Sequence, residues 1–415
     1  MRRSALAFPV LLALSACSGQ AAEGNEGSPL APITVQIRAE PEEAAVYRSL
    51  VNAYREAGGG EVELVTVGRE DHLTRLSTAF ASGDAPDVFL INYREYAPFV
   101  RRGAVAPAGP LLDGEGVDPA DYYEEPLRAF TYDGALQCMP QNISSLVVYW
   151  NRGLFAQAGV PAPAAGWTWE DFVATATALS TGGVKGVGID PSITRMAPFI
   201  WSSGGTIVDD DVAPTRTTLH EPGARAALDA VVELIGTGAT PSTEQLAAQG
   251  LPEQFMTGKV AMFLSSRVEV PALREQRGLD FDVAGLPVMG EPASVLHSDA
   301  YCVASSSENK VAAAKFVAYA VGEQGQTLTA LGGRTVPSLR SVATSPAFLS
   351  PTRAPASSQV FLDAIPHLRH TPVTPSWPEV EDVIGTQLQR AFSDGIPLDE
   401  VLAEIQAQAD PLLRR

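Results

Sequence analysis

The chain has 415 residues, of which 29 are Lys or Arg and 48 are Asp or Glu, giving a formal charge of −19. That length exceeds a single hydrophobic core and suits two domains, while the acidity, with no concentration of basic residues, excludes a phosphate-tracking nucleic-acid surface. Aromatic residues make up 7% of the chain, so an aromatic recognition surface must come from position and not from abundance.

The chain opens Met1-Arg2-Arg3 and runs through an apolar stretch from Ala5 to Ala16, broken by Ser15. A basic start followed by an apolar run well short of the ~20 residues that span a bilayer fits an export signal. Leu14-Ser15-Ala16-Cys17 resembles a bacterial lipobox. A signal peptide over 1–16 is therefore expected, with cleavage before Cys17 and acyl chains on that residue as the only membrane contact. Residues 17–32, small, polar and rich in Gly and Pro, are expected to form a flexible tether. No later stretch reaches the ~18 uninterrupted apolar residues of a spanning helix.

Ile33 to Arg38 alternates as a strand does, and Val46, Leu50, Ala53, Tyr54 and Ala57 then recur at helical spacing up to Gly58-Gly59-Gly60. Glu61 to Val67 predicts a second strand, Asp71 to Ser82 a second helix, and Ala85 to Ile91 an apolar third strand of the kind buried in parallel sheets. Strands alternating with helices mean an α/β domain. Ligands of such sheets lie at the carboxyl ends of strands, which points to Glu40, Arg69 and Asn92-Tyr93-Arg94. After Met139 the pattern changes. A strand over Leu146 to Trp150 leads through a Pro-rich loop to Thr168, an N-cap with Asp171 three residues on. Gly258 turns the chain into a buried strand ending at Ser265-Ser266-Arg267, Asp299 to Ala304 is another strand, and a helix from Ser307 to Val321 stops at Gly322.

No nucleophile elbow, zinc signature or phosphate loop appears. Gly58-Gly59-Gly60 separates a helix from a strand, the wrong context for cradling phosphate. Glu42-Glu43, Glu124-Glu125 and Asp209-Asp210-Asp211 are expected on solvated turns. His72, His220, His297, His367 and His370 have no acidic or thiol neighbours at ligand spacing, and Pro366 and Pro372 flank the last pair. No catalysis, cofactor or metal is expected.

Several segments together resemble the family 1 extracellular solute-binding proteins of bacterial ABC importers, the group that includes maltose-binding protein. They are Gly83-Asp84-Ala85-Pro86-Asp87-Val88, Val147-Val148-Tyr149-Trp150-Asn151 with Leu154-Phe155, Trp167-Thr168-Trp169-Glu170-Asp171-Phe172, Phe255 to Met262, Leu286-Pro287, and Gly325-Gln326 through Gly332-Gly333-Arg334-Thr335-Val336-Pro337. The resemblance implies a two-lobed, type II-like periplasmic-binding-protein fold with discontinuous α/β lobes. One lobe would hold 33–138 plus 303–340 and the other 139–302 plus 341–415, with the chain crossing near Gln137–Gln141, Tyr301–Ala304 and Pro337–Pro351. It further implies an exported monomer, facing the periplasm or cell exterior, that closes on a solute and delivers it to permease subunits.

A polyol site needs flat aromatic faces and hydroxyl-bonding groups. The cleft loops offer Glu40, Arg69, Asn92 and Tyr93 from the first lobe and Gln141, Asn142 and Ser144 beside the crossing. Trp201, Arg267, Asp299, Arg334 and Trp377 complete the set. Ile91 and Ser144 stand where maltose-binding protein has a stacking tryptophan and a glutamate, so a mono- or disaccharide is expected over a maltodextrin. Two alternatives stand: a glycerol phosphodiester or other small anion bound by Arg69, Arg94, Arg267 and Arg334, or a glycan-acting lipoprotein enzyme using Glu40 and Asp299. Cys138 and Cys302 fall on strands that the resemblance sets side by side at the hinge, as a disulfide or as two buried thiols.

Overall fold

A computed structural model describes residues 27–415; the expected signal peptide, the lipidation site Cys17 and the tether up to residue 26 lie outside the described residues. The end of the expected tether already belongs to the globule. Ala31 N–H donates to the Ser28 carbonyl (3.0 Å), and the Asn309 side chain donates to the Pro32 carbonyl (3.2 Å).

Two sheets organise the chain. The first runs Val62–Val67, Ile33–Arg38, Val88–Asn92, Asp299–Ala304, Val105–Ala106, with Met139–Pro140 also paired to Asp299–Ala304. Its first three strands are parallel and the Asp299–Ala304 strand is antiparallel to its neighbours. Every residue of Val88–Asn92 is buried, as the unbroken apolar run predicts for a strand covered on both faces. On one face Phe80 packs against Phe89 at 5.3 Å, and on the other Tyr301 meets Phe316 at 6.1 Å. Helix Pro41–Glu56 packs on the Lys310–Val321 and Glu323–Gly332 pair, so residues far apart in sequence share one core.

The second sheet is ordered Lys185–Gly188, Val260–Ser265, Val147–Asn151, Phe281–Ala284. Helix Trp169–Leu179 flanks it and begins with the expected capping box: the Asp171 N–H donates to Thr168 Oγ1 at 3.2 Å, and the Thr168 N–H to the Asp171 carboxylate at 3.0 Å. A third, small sheet of Leu368–Arg369, Ser294–His297 and Ser144–Ser145 lies next to the crossing segments.

Two boundaries differ from expectation. Met139–Pro140 pairs with Asp299–Ala304 in the first sheet, so the outward crossing follows residue 140 and not 138. Asp299 pairs with Asn92 and Cys302 with Phe89, so the whole Asp299–Ala304 strand lies in the first sheet and the return crossing precedes it, at His297–Ser298. A strand buried over all six residues carries no signal for which sheet receives it, and the expected division at 302/303 cut it in two. Cys138 and Cys302 are joined as a disulfide, their Cα atoms 4.4 Å apart, so of the two alternatives the bridge is the one present. None of the described helices is long and apolar enough to cross a membrane.

Candidate functional site: a polar cavity between the two sheets

The parallel strands of the first sheet end at Arg38 and Asn92, and the antiparallel Asp299–Ala304 strand begins opposite Asn92, so three polar side chains meet at one sheet edge. Gly333, with φ of +91°, turns the chain out of helix Glu323–Gly332 and delivers Arg334 to the same place. Asp299 is the hub. Its carboxylate accepts from Arg38 (2.9 Å), Asn92 (3.0 Å) and Arg334 (3.2 Å), and its backbone N–H donates to Asn142 Oδ1 (2.9 Å). Burial alone would raise the Asp299 carboxyl, but Arg38 and Arg334 outweigh it and hold the group well below the usual carboxylate range. Arg334 also lies 3.0 Å from the buried Glu43 carboxylate.

The second sheet contributes from its own strand ends. Ser266 and Glu269 follow Val260–Ser265, with Ser265 Oγ donating to Glu269 at 2.9 Å, and Arg195 sits in the first turn of helix Ile193–Ser202, after Lys185–Gly188. The crossing segments supply Asn142, His297 and Ser298, knitted by Asn142 Nδ2 to the His297 carbonyl (3.1 Å) and Ser298 Oγ to the Asn142 carbonyl (2.6 Å). These groups, with Arg69 and Arg94, line a cavity of about 210 Å³, partly open to solvent, with no Phe, Tyr or Trp in its lining.

Two contacts close its wall from opposite sides of the cleft. Arg94 Nη1 lies 2.8 and 3.0 Å from the Glu381 oxygens, and Tyr93 Oη accepts from the Thr371 N–H at 3.2 Å. Burial opposes the charge on Arg94, yet Glu381 raises its pKa overall. His297 is held well below its usual value, first by burial and then by Arg195 and Arg94, so its imidazole is neutral at pH 7. Burial also lowers Arg195, with Asp190 and Glu269 opposing that trend and Arg94 and Arg69 adding to it.

Of the twelve ligand residues expected from sequence, Arg69, Asn92, Asn142, Ser144, Asp299 and Arg334 line the cavity. The other six do not. Glu40 caps helix Pro41–Glu56 and accepts from the Arg69 N–H at 2.9 Å. Gln141 is buried against Tyr47, and Tyr93 against Thr371, behind the wall. Arg267 is buried beside Phe348 and Phe361, 4.5 and 5.1 Å from their ring centres, and donates to the Gly333 carbonyl and Ser358. Trp201 and Trp377 belong to the core of the second lobe; the outer face of Trp201 is covered by the Arg369 guanidinium at 4.8 Å. A Ser/Gly-rich turn after Trp201 suggests an exposed ring, but the apolar face of helix Ile193–Ser202 takes that ring inward.

Arg38, Arg195, Ser266, Val268, Glu269, His297 and Ser298 also line the cavity without having been expected to. Applying the strand-end rule to the second lobe as well as the first selects Arg195, three residues into the helix that follows strand Lys185–Gly188. Nothing local marks His297, which reaches the cavity only because the chain crosses there. Among the described residues no group of three His, Cys, Asp or Glu side chains is placed to hold a metal.

A family model described as bacterial extracellular solute-binding protein matches residues 49–356. A binding protein of Brucella abortus is 24% identical over 355 residues, covering 83% of either chain. The solved ABC substrate-binding protein from Listeria monocytogenes in complex with cycloalternan superposes with a TM-score of 0.85 at 22% identity, over 92% of this chain and 98% of that one. UgpB from Mycobacterium tuberculosis in complex with glycerophosphocholine superposes with a TM-score of 0.82 at 23% identity, over 94% and 99%.

Proposed function

Because the chain belongs to the bacterial extracellular solute-binding proteins, we propose that it is the substrate-binding component of an ABC importer, a lipoprotein anchored through Cys17 that captures a carbohydrate between its lobes and delivers it to the permease. The observation that carries this is the polar cavity built jointly from the strand ends of both sheets. Serine, asparagine and carboxylate groups there suit hydroxyl recognition. Solved proteins of the same fold in complex with cycloalternan and with glycerophosphocholine support a solute-binding role.

At about 210 Å³ the cavity falls below the ~300–1,000 Å³ of sites for drug-sized ligands, which favours one sugar ring over two. The lobe division behind this assignment is 33–138 plus 303–340 and 139–302 plus 341–415, adjusted so that Met139–Pro140 and Asp299–Cys302 join the first lobe. A binder is favoured over a glycan-acting enzyme because Asp299 is held ionised and Glu40 caps a helix away from the cavity. Neither is placed as a proton donor.

Thermal melting and small-angle scattering of the mature protein against a panel of mono- and disaccharides and their acidic and phosphorylated derivatives test this assignment. A bound ligand raises Tm by mass action. It also leaves a radius of gyration no larger than that of the ligand-free protein. A panel member that is instead consumed, with release of product, overturns the binder assignment in favour of catalysis.

A further inference from the structure

Five arginines line the cavity, and three of them are matched to acids: Arg38 and Arg334 to Asp299, with Arg334 also to Glu43, and Arg94 to Glu381. Arg69 stands at the mouth, its side chain 44% exposed and 4.0 Å from Glu40. Arg195 is different. Among the described residues no carboxylate comes within 4.0 Å of it; Nη1 donates to Thr194 Oγ1 at 3.1 Å, and the buried Nε has no partner. From the same lobe, Glu269 accepts from Ser265 and has no cation within the same distance, and the buried Nε2 of His297 is also unpartnered.

Arg195 is partly withdrawn from water, and Asp190 and Glu269 act on it only without contact, so a carboxylate or phosphate brought by a ligand would be the first acid in contact with it. A neutral sugar could offer Arg195 only a hydroxyl dipole, whereas a carboxylate or phosphate offers a charge-assisted bond of about twice the strength. The lining also lacks the aromatic platform on which a neutral sugar ring would stack.

Resting on the importer assignment above, we propose that the ligand is an acidic polyol no larger than one sugar ring. Its carboxylate or phosphate pairs with Arg195, and its hydroxyls bond to Glu269 and His297 Nε2. Arg195 is then the residue that separates acidic ligands from neutral ones.

The test is calorimetric titration of the mature protein with D-galacturonate beside D-galactose, D-gluconate beside D-glucose, and glycerol 3-phosphate beside glycerol, repeated on R195Q and R195K. At least one acid is expected to bind 100-fold or more tightly than its neutral parent. R195Q should weaken that acid at least 30-fold while R195K keeps part of the affinity, and the carboxylate and phosphate pairs tell which anion the site takes. The ligand-free R195Q protein should melt at or above the wild-type temperature, since an uncompensated charge is removed. A lower melting temperature would make Arg195 a structural residue and overturn the proposal. A neutral parent that binds as tightly as its acid, or an acid affinity within threefold of wild type in R195Q, overturns the acidic ligand and leaves the importer assignment standing. Absence of binding by every neutral and acidic member overturns both.

Discussion

Asp299 shows how much one side chain sets at the residue scale. Replacing it by asparagine leaves Arg334 with Glu43 and Arg38 with Glu95 as their remaining acids, so the loss should fall toward the lower end of the about 3–5 kcal/mol that breaking a buried pair costs. Urea unfolding of D299N should show that loss at neutral pH. The folded-state pKa lies below the unfolded value of ~3.9, so the contribution is complete above that value and fades as pH falls through the folded one. The gap between wild type and D299N should therefore stay flat from pH 8 to 5 and shrink below pH 4; a gap that widens with acid would show that Asp299 is not the ionised hub. From sequence, Asn92 was selected by its position at a strand end, Asp299 by its place before the crossing that the resemblance implies, and Arg334 by the glycine pair before it. Such cues did not suffice for Trp201 and Trp377, because a tryptophan near a turn packs inward or outward according to what the rest of the lobe leaves uncovered.

Single elements were the most legible level. The strand alternation from Ile33, the Thr168 capping box and the stop at Gly322 are all local, and each recurs in the structure within a few residues. The Asp299–Ala304 strand marks the limit, since its existence is local and its sheet is not. The disulfide fastens this strand to the segment before Met139–Pro140, across 164 residues of sequence. Closing so long a loop restricts the unfolded chain, and its loss should cost about 2–5 kcal/mol. Urea melts of the oxidised protein and of the C138A/C302A double variant should differ by that amount, and alkylation before and after reductant should reveal two thiols only after it. Equal midpoints would show that the bridge does not stabilise the hinge strands.

For the whole molecule, the two lobes are tied on the cleft rim by Arg94 and Glu381, which lie 287 residues apart in the chain. A contact across lobes biases closure only as far as it is stronger in the closed arrangement. E381Q should therefore enlarge the radius of gyration of the ligand-free protein and weaken ligand about tenfold, ~1.4 kcal/mol. An unchanged radius with unchanged affinity would remove the pair from any role in holding the lobes together. The α/β class, the elements and the family resemblance were determined by the sequence alone, because periodicity, caps and motif order are written over a few adjacent residues. Which lobe receives the return strand, which tryptophans are core and which arginine is left without an acid were decided only by tertiary structure. Each depends on groups far off in the chain, as in the Asn92–Asp299 contact across 207 residues, and charge balance in a cavity is a sum over all of them.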